Sequence, residues 1–417
     1  MRQMRIWILH HYAYTPSQSA GTRHHAIARE LIDRGHEVLI VACSFYHKSH
    51  RHMNLEPGRT WGRTVEDGVP FHWIRAPGYR GNGLGRVANM LVFAHRAGQG
   101  AGLDDAPAPD VVVGSSPDLF TADAARRLAR RRGVPFVLEL RDLWPDILIE
   151  MGGRSRRHPM MAWMSRIEGR LYRDCDHCIS AMQGADRHIE SLGGDPERFT
   201  WVPNAVPLDR IPRDSPLPPT GTPFTFMYAG VLGFYNSLET VIDASAELER
   251  RGLGDRALVR IVGDGNHRAR LEHRARQAGV RMIRFEDAVP KREVYARLAE
   301  AHAFLMVLRR APVFRFDVSP NKLWDYMAMQ RPTIYAIGNP YDPVRKANAG
   351  ISVPPEDPVA MADAMERMMS LPESERLEMG RRARAHVAEH HDFGRLARRF
   401  EAALSRAITH RSLRTSA

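Results

Sequence analysis

Short apolar runs alternate with amphipathic stretches along the whole chain, and that alternation predicts its elements. Residues 5–9 (RIWIL) form an apolar strand, followed by a turn-rich loop over 14–21 and a helix over 22–34 closed by Gly35. A second strand at 37–43 (EVLIVAC) comes at once, giving the strand, loop, helix, strand unit that builds parallel sheets. Further strands are expected at 110–114 (DVVVG), 135–140 (PFVLEL) and 177–180, with a helix containing 122–131 between the first two.

The second half repeats the rhythm. Strands are expected at 224–229, 257–262, 282–285, 303–308 and 332–335, and helices at 238–251, 268–277, 291–301 and from Asn321 onward. Between the halves, residues 203–223 (PNAVPLDRIPRDSPLPPTGTP) hold enough proline to resist both helix and central strand. The organisation read from this pattern is an α/β domain over 1–205, a proline-rich linker over 206–222, a second α/β domain over 223–385, and a helical segment over 386–417 that packs back on the first domain. Open sheets of this kind bind ligands beyond their strand carboxyl ends, so a site built from loops of both halves is expected.

Composition changes this picture little. With 417 residues and 43% apolar content the chain is long enough for two cores. The opening segment MRQMRIWILHHY lacks the cleavage pattern of a signal peptide. No stretch reaches the roughly 18 apolar residues of a spanning helix. A cytoplasmic protein, or one held at the inner face of the cell membrane, is expected. Three cysteines, Cys43, Cys175 and Cys178, are too few for a disulfide scaffold, and Cys175-Asp-His-Cys178 has no second pair to complete a zinc site. The net charge of +12 implies anionic partners. Residues 126–132 (RRLARRR) read as a solvated helix end. Residues 154–173 interleave cations with Met, Trp, Ile and Leu, a pattern that suits either a core-facing helix or one lying on anionic membrane.

Several segments in order carry a family resemblance: SAGTR at 19–23, ELRDLWPD at 139–146, WVPNAV at 201–206, MYAGVLG at 227–233, VGDG at 262–265 and SPNKLWDYMAMQRPTIYA at 319–336. Together they resemble glycosyltransferase family 4, and within it bacterial fucosamine-transferase-like enzymes of surface-polysaccharide biosynthesis. The resemblance implies the GT-B fold, two Rossmann-like doubly wound α/β domains facing a central cleft. It also implies a retaining enzyme that uses a nucleotide-sugar donor, with UDP favoured by analogy, and transfers a hexosyl or acetamidosugar group. The implied acceptor is a glycan or a polyprenyl-diphosphate-linked saccharide. No metal and no other cofactor are required, and no nucleic-acid partner is expected.

The family's donor signature is two glutamates separated by seven residues; here Asp317 and Asp325 stand at that spacing. By resemblance Asp325 holds the ribose hydroxyls, a task suited to a carboxylate's two acceptor oxygens, and Asp317 lies near the transferred sugar. Between them Ser319 suits the N-cap of a helix, Pro320 its first turn, and Asn321 continues it, leaving backbone N–H groups for a diphosphate. The family's usual Arg and Lys after the first strand of the second domain are Val231 and Asn236 here. The expected replacement charge is Lys322, aided by Arg309, Arg310 or Arg315. Gly263, Asp264 and Gly265 are expected to line the nucleotide pocket, and 286–289 to border the base. In the first domain Gly21 is expected to approach the phosphates closely. Asp142 is the candidate proton acceptor or acceptor-orienting group, Arg141 an anion contact, and His11 a further catalytic candidate. His24 and His25 read as polar surface positions, and His47, His50 and His52 as part of a solvated loop.

Two other readings stay open at this point. One is a GT-B-fold nucleotide-sugar epimerase. The other is a basic nucleic-acid-binding protein, against which stand the dispersed arginines and the lack of any aromatic-interleaved motif.

Overall fold

The computed structural model describes residues 2–16, 22–81, 83–213, 218, 223–290 and 293–416. The chain divides into two compact bodies, Met1–Pro203 with Phe393–Ala417, and Asn204–Asp392.

In the first body, β1 (Arg5–Leu9), α1 (Arg23–Asp33) and β2 (Glu37–Cys43) form the opening unit. A small antiparallel ribbon, β3 (Phe45–Tyr46) and β4 (Arg51–His52), follows, then the hairpin β5 (Trp61–Glu66) and β6 (Val69–Ile74). The run continues through α2 (Leu84–Gln99), β7 (Val111–Ser115), α3 (Leu119–Arg132) and β8 (Phe136–Leu140). It closes with α4 (Asp146–Glu150), α5 (Pro159–Asp174), β9 (His177–Ser180), α6 (Ala185–Ser191) and β10 (Phe199–Trp201). Eight strands lie in the order β10-β9-β8-β7-β1-β2-β6-β5, all parallel except the last pair. The strands β7, β8 and β9 are buried at every residue, as in a parallel sheet covered on both faces, so the polar Ser115, Glu139, His177 and Ser180 they carry are buried too. The hairpin escaped the sequence reading, although Asp67-Gly68 between two alternating runs signals it. Both residues have positive φ, 52° and 79°, as a two-residue hairpin turn demands.

The second body carries β11 (Phe224–Ala229), α7 (Leu238–Arg250), β12 (Ala257–Val262), α8 (Arg268–Gln277), β13 (Ile283–Glu286) and α9 (Val294–Leu298). Then come β14 (Ala303–Val307), α10 (Asn321–Ala328), β15 (Thr333–Ala336), α11 (Pro343–Lys346), β16 (Gly350–Ser352), α12 (Pro358–Ser370) and α13 (Glu373–His390). Its sheet runs β13-β12-β11-β14-β15-β16 and is wholly parallel. Order reversal on either side of β11 marks the switch point where such sheets bind ligands. The core gathers Phe226 and Tyr228 of β11, Val241 and Leu248 of α7, Ile261 of β12 and Met365 of α12.

Two expected boundaries move. The first body ends at Pro203, and the described start of the proline-rich stretch belongs to the second body, where the Arg384 guanidinium donates to Pro212 O at 2.8 Å. The helical segment expected from 386 is two helices. The first, α13, stays with the second body, and α14 (Phe393–Ser416) packs on α1 and beside β9 and β10 of the first. Glu401 of α14 anchors it there, taking Arg34 at 2.6 Å and His36 at 3.1 Å.

Candidate functional site

Pro320, at φ −69° and ψ 121°, is the residue from which α10 starts, with Asn321 its first helical residue and no side-chain cap. Ser319 is therefore not the N-cap. Its oxygens serve Asn204 instead: Ser319 O accepts from Asn204 Nδ2 at 2.7 Å and Ser319 Oγ from Asn204 N at 3.4 Å. The helix buries Leu323, Trp324, Tyr326, Met327 and Ala328. That leaves Asn321, Lys322 and Asp325 on its open side, Lys322 and Asp325 one turn apart.

The half-buried Lys322 reaches across to the loop that leaves β11. Its Nζ donates to Tyr228 Oη at 2.6 Å and to Asn236 Oδ1 at 2.8 Å, and lies 4.3 Å from the centre of the Tyr228 ring. Tyr228 Oη in turn donates to Val231 O at 2.8 Å, and Asn236 Nδ2 to the same oxygen at 2.9 Å. The ammonium thus stands on the segment, 230–236, where the usual cations are missing. A Cβ on Gly230 would sit 3.0 Å from it. Burial without a countercharge lowers its pKa to about 7.

The glycines of VGDG pack against this same loop. A Cβ at Gly263 would lie 1.9 Å from Gly230 O, and one at Gly265 would lie 2.3 Å from Leu232 O. Leu232 N donates to Asp264 O at 2.9 Å and His267 N to Leu232 O at 3.0 Å. The close approach expected of a ligand is made by the protein's own backbone, and it fixes the platform under Lys322. Asp264 is exposed, and its carboxylate accepts from Gly265 N at 2.7 Å.

Of the two spaced acids, Asp325 is half-buried and accepts from Tyr295 Oη at 3.0 Å. Asp317 is 3% exposed, and its Oδ1 accepts from Asn339 Nδ2 at 2.7 Å; Asn339 Oδ1 accepts from Tyr335 Oη at 2.9 Å. Its backbone, φ 83° and ψ 167°, is one that glycine alone adopts readily. Arg309 is not available to a diphosphate. It is paired with Glu239 at 3.0 Å and Glu356 at 3.2 Å, and braces the 234–239 segment through Phe234 O at 2.7 Å. Arg315 lies 4.3 Å over Phe316 and donates to Pro312 O at 2.8 Å, and Arg310 N binds Glu356 at 2.9 Å. Glu286, expected beside a base, is held by Arg260 at 2.5 Å and Arg297 at 3.3 Å.

In the first body the carboxyl ends of β1, β7 and β8 meet. Glu139, fully buried, takes Arg23 at 2.9 Å, His24 at 2.7 Å and Ser115 Oγ at 2.7 Å. Burial opposes its charge, but His24, Arg23 and Arg141 outweigh that and hold the carboxyl well below its usual range. Arg23 also binds Val202 O at 2.7 Å, and Pro203 O. His10 stacks on His24 at 4.2 Å and faces the Arg141 guanidinium at 3.4 Å. Asp142, next in sequence, has its pKa raised to about 6 by burial, against the pull of Arg141.

His24 and His25 are therefore buried, not surface positions; His25 Nε2 meets Glu66 O at 2.9 Å. His11 is also a core histidine: 2% exposed, its Nε2 2.6 Å from Asn89 Oδ1, edge-on to Phe93 and lowered by burial to a pKa of about 3. The ring is neutral and its Nε2 is engaged in the core. Gly21 and Ser19 lie outside the described residues. Asp174 pairs with Arg126 at 2.9 Å and Asp176 accepts from Phe136 N at 2.9 Å, both structural tasks.

Residues 20–205 match the family model described as the glycosyl transferase 4-like domain, and 223–370 match that of the glycosyl transferases group 1. The chain belongs to glycosyltransferase family 4. WcaI of Escherichia coli (strain K12), described as a colanic acid biosynthesis glycosyl transferase, is 25% identical over 320 residues, 72% of this chain and 75% of its own. The fold is GT-B. The sucrose-phosphate synthase of Thermosynechococcus elongatus superposes with a TM-score of 0.73 at 13% identity over 100% of both chains. Anabaena HepE in complex with UDP-glucose gives 0.68 at 13%, covering 97% of this chain and 100% of its own. The trehalose 6-phosphate synthase of Burkholderia multivorans gives 0.73 at 14%, covering 100% and 99%. The chain is an enzyme that transfers glycosyl groups from nucleotide-sugar donors.

Several residues that shape the candidate site were not legible in the sequence. Tyr228 sits inside an apolar strand and reads as core, and Tyr326 is hidden in the helical stripe, although its hydroxyl exchanges both hydrogen bonds with Ala229 at 2.8 and 2.9 Å. Asn204 carried a signal: an amide between prolines and valines in WVPNAV has no reason to be there unless it is spent on backbone.

Proposed function

We propose that this transferase moves a sugar, with retention of anomeric configuration, from a UDP-sugar to a hydroxyl of a saccharide acceptor during surface-polysaccharide assembly. The observation that carries the donor half is the seat of Lys322 on Tyr228 and Asn236, directly over Gly230. A cation there meets a diphosphate laid on the loop after β11, and Asp325, one turn further along α10, reaches the ribose hydroxyls. Asp317, in its strained backbone, borders the sugar; strain of that sort collects where geometry serves a ligand. Gly263, Asp264 and Gly265 serve by shaping the loop.

In the transfer itself the acceptor oxygen bonds to the anomeric carbon on the face from which the diphosphate leaves. The C–O bond to the diphosphate breaks with its electron pair on the diphosphate, and the acceptor proton passes to that departing oxygen. Lys322 stabilises the charge that develops there. Asp142 orients the acceptor hydroxyl, and Arg141 beside it is an anion contact. No step calls for a metal.

UDP is favoured because HepE was solved with UDP-glucose and an Escherichia coli trehalose-6-phosphate relative with UDP-2-fluoro glucose. The colanic acid relative supports a glycan acceptor, carried in this reading on a polyprenyl diphosphate at the inner face of the membrane. No described helix is long and apolar enough to cross a membrane. Peripheral contact finds support in α5, which leaves Trp163 41% exposed among Arg166 and Arg170. The test is product formation from a panel of nucleotide sugars with wild type and Asp325→Ala. The reading requires donor-dependent product that Asp325→Ala reduces by about a hundredfold; equal product from both would remove Asp325 from the site.

A further inference from the structure

Beyond β1 the chain runs His10-His11-Tyr12-Ala13-Tyr14, and beyond β2 it enters the ribbon that carries Phe45, Tyr46 and His47. Their rings pack in two groups along one wall. Tyr14 meets Tyr46 edge-on at 5.3 Å, Phe45 meets Tyr79 at 4.9 Å, and His47 stacks on Tyr79 at 5.6 Å. At its side stands Arg86, in the first turn of α2, which donates to Tyr12 Oη at 3.0 Å and lies 5.3 Å over the Tyr12 ring. Tyr12, Tyr14, His47 and Arg86 are all half-buried, so each keeps a face toward solvent.

The cation is held rigidly. Asn89, three residues along α2 and fully buried, takes the hydrogen bond with His11 at 2.6 Å and donates to Pro77 O at 2.7 Å. The core histidine therefore locks α2 to the end of β1 and sets where Arg86 stands. A guanidinium is charged at any physiological pH, whereas burial pushes the Tyr12, Tyr14 and Tyr79 hydroxyls upward and keeps them neutral. Asp118, whose charge Arg86 favours, is fully buried and accepts from Phe120 N at 3.0 Å and Thr121 Oγ1 at 2.5 Å at the start of α3. His47 Nδ1 is a buried polar atom with no hydrogen-bond partner.

One fixed guanidinium beside neutral phenols and stacked rings suits a ligand that is both ring-shaped and anionic. Aromatic faces take the C–H face of a pyranose, the phenols and His47 its hydroxyls, and Arg86 an oxyanion in the bidentate manner. Carboxyl edges of β1 and β2 are where an open sheet offers such a site. Resting on the glycosyl-transfer reading above, we infer that this wall is the acceptor subsite, and that it selects a sugar bearing a phosphate or a carboxylate, with that oxyanion on Arg86.

The full-length protein, saturated with UDP so that the donor loop is occupied, is titrated with glucose 1-phosphate, methyl glucuronide and methyl glucoside. At least one anionic sugar should bind about tenfold more tightly than methyl glucoside, the margin a charge-assisted pair provides. Arg86→Gln should abolish that preference, Arg86→Lys should keep only part of it, and Tyr14→Leu should weaken all three sugars; UDP affinity should be unchanged in each variant. Preference for glucose 1-phosphate alone assigns a phosphate, and for the glucuronide alone a carboxylate. The inference is overturned if wild type binds the anionic sugars no better than methyl glucoside, or if Arg86→Gln keeps the preference while still binding UDP. Failure of UDP to bind wild type would instead overturn the donor reading, and the Arg86 preference would still be read from the same titrations.

Discussion

Lys322 is charged at neutral pH only in part, and a bound diphosphate restores its proton because an adjacent anion favours the ammonium form. The donor's two phosphates carry no titrating proton in this range, so the donor KM should rise as pH climbs above 7. Lys322→Met should raise KM at lower pH and flatten the rise, as read from initial rates between pH 6 and 9. The folded protein binds fewer protons at this lysine than the unfolded chain between about pH 7 and 10, so on this group alone stability increases with pH there. Asp142 gives the opposite limb. With its pKa near 6 it is protonated as pH falls, so kcat should fall below pH 6, and Asp142→Asn, which misorients the acceptor hydroxyl, should lower kcat by about 10²-fold with the fold intact.

At the scale of elements, the contact between the loops after β11 and β12 is what places the donor platform. Gly263→Ala would drive a Cβ into Gly230 O and strain a φ of 150°, costing about 3 kcal/mol, visible as a lower unfolding midpoint in urea. In the first body Glu139 joins α1, β7, β8 and the chain at Val202. Glu139→Gln should cost about 3–5 kcal/mol, since it leaves Arg23 buried without its carboxylate. The parallel strands and the α10 region were legible in the sequence because buried strands and a proline-started helix leave local marks. What was not legible depends on partners far along the chain. His11 read as a catalytic candidate and His24 as a polar surface residue because nothing local announces Asn89 or Glu139, 78 and 115 positions away. Lys322 could be named from the absence of cations at Val231 and Asn236, but its seat on Tyr228 could not. The excess of arginine candidates arose because Arg309 shows no sign in the sequence that Glu239 and Glu356 already hold it.

For the whole molecule, the chain passes between its two α/β bodies twice, at Pro203–Asn204 and at Asp392–Phe393. In the second body both crossings are tied to α10. Asn204 binds Ser319, and His391 Nδ1 donates to Asn204 O at 2.9 Å while its ring stacks on Trp324 at 3.4 Å. Activity should survive dialysis against EDTA without loss, a rate comparison before and after chelation. The central claim is that a nucleoside diphosphate sits on the loop after β11 with Lys322 as its cation. Calorimetric titration of UDP, GDP and ADP into wild type and Lys322→Met at pH 6.5 tests it most directly. The account predicts binding of at least one of them, strongest for UDP and weakened at least about tenfold by Lys322→Met; equal affinity in the two proteins, or no binding by either, would contradict it.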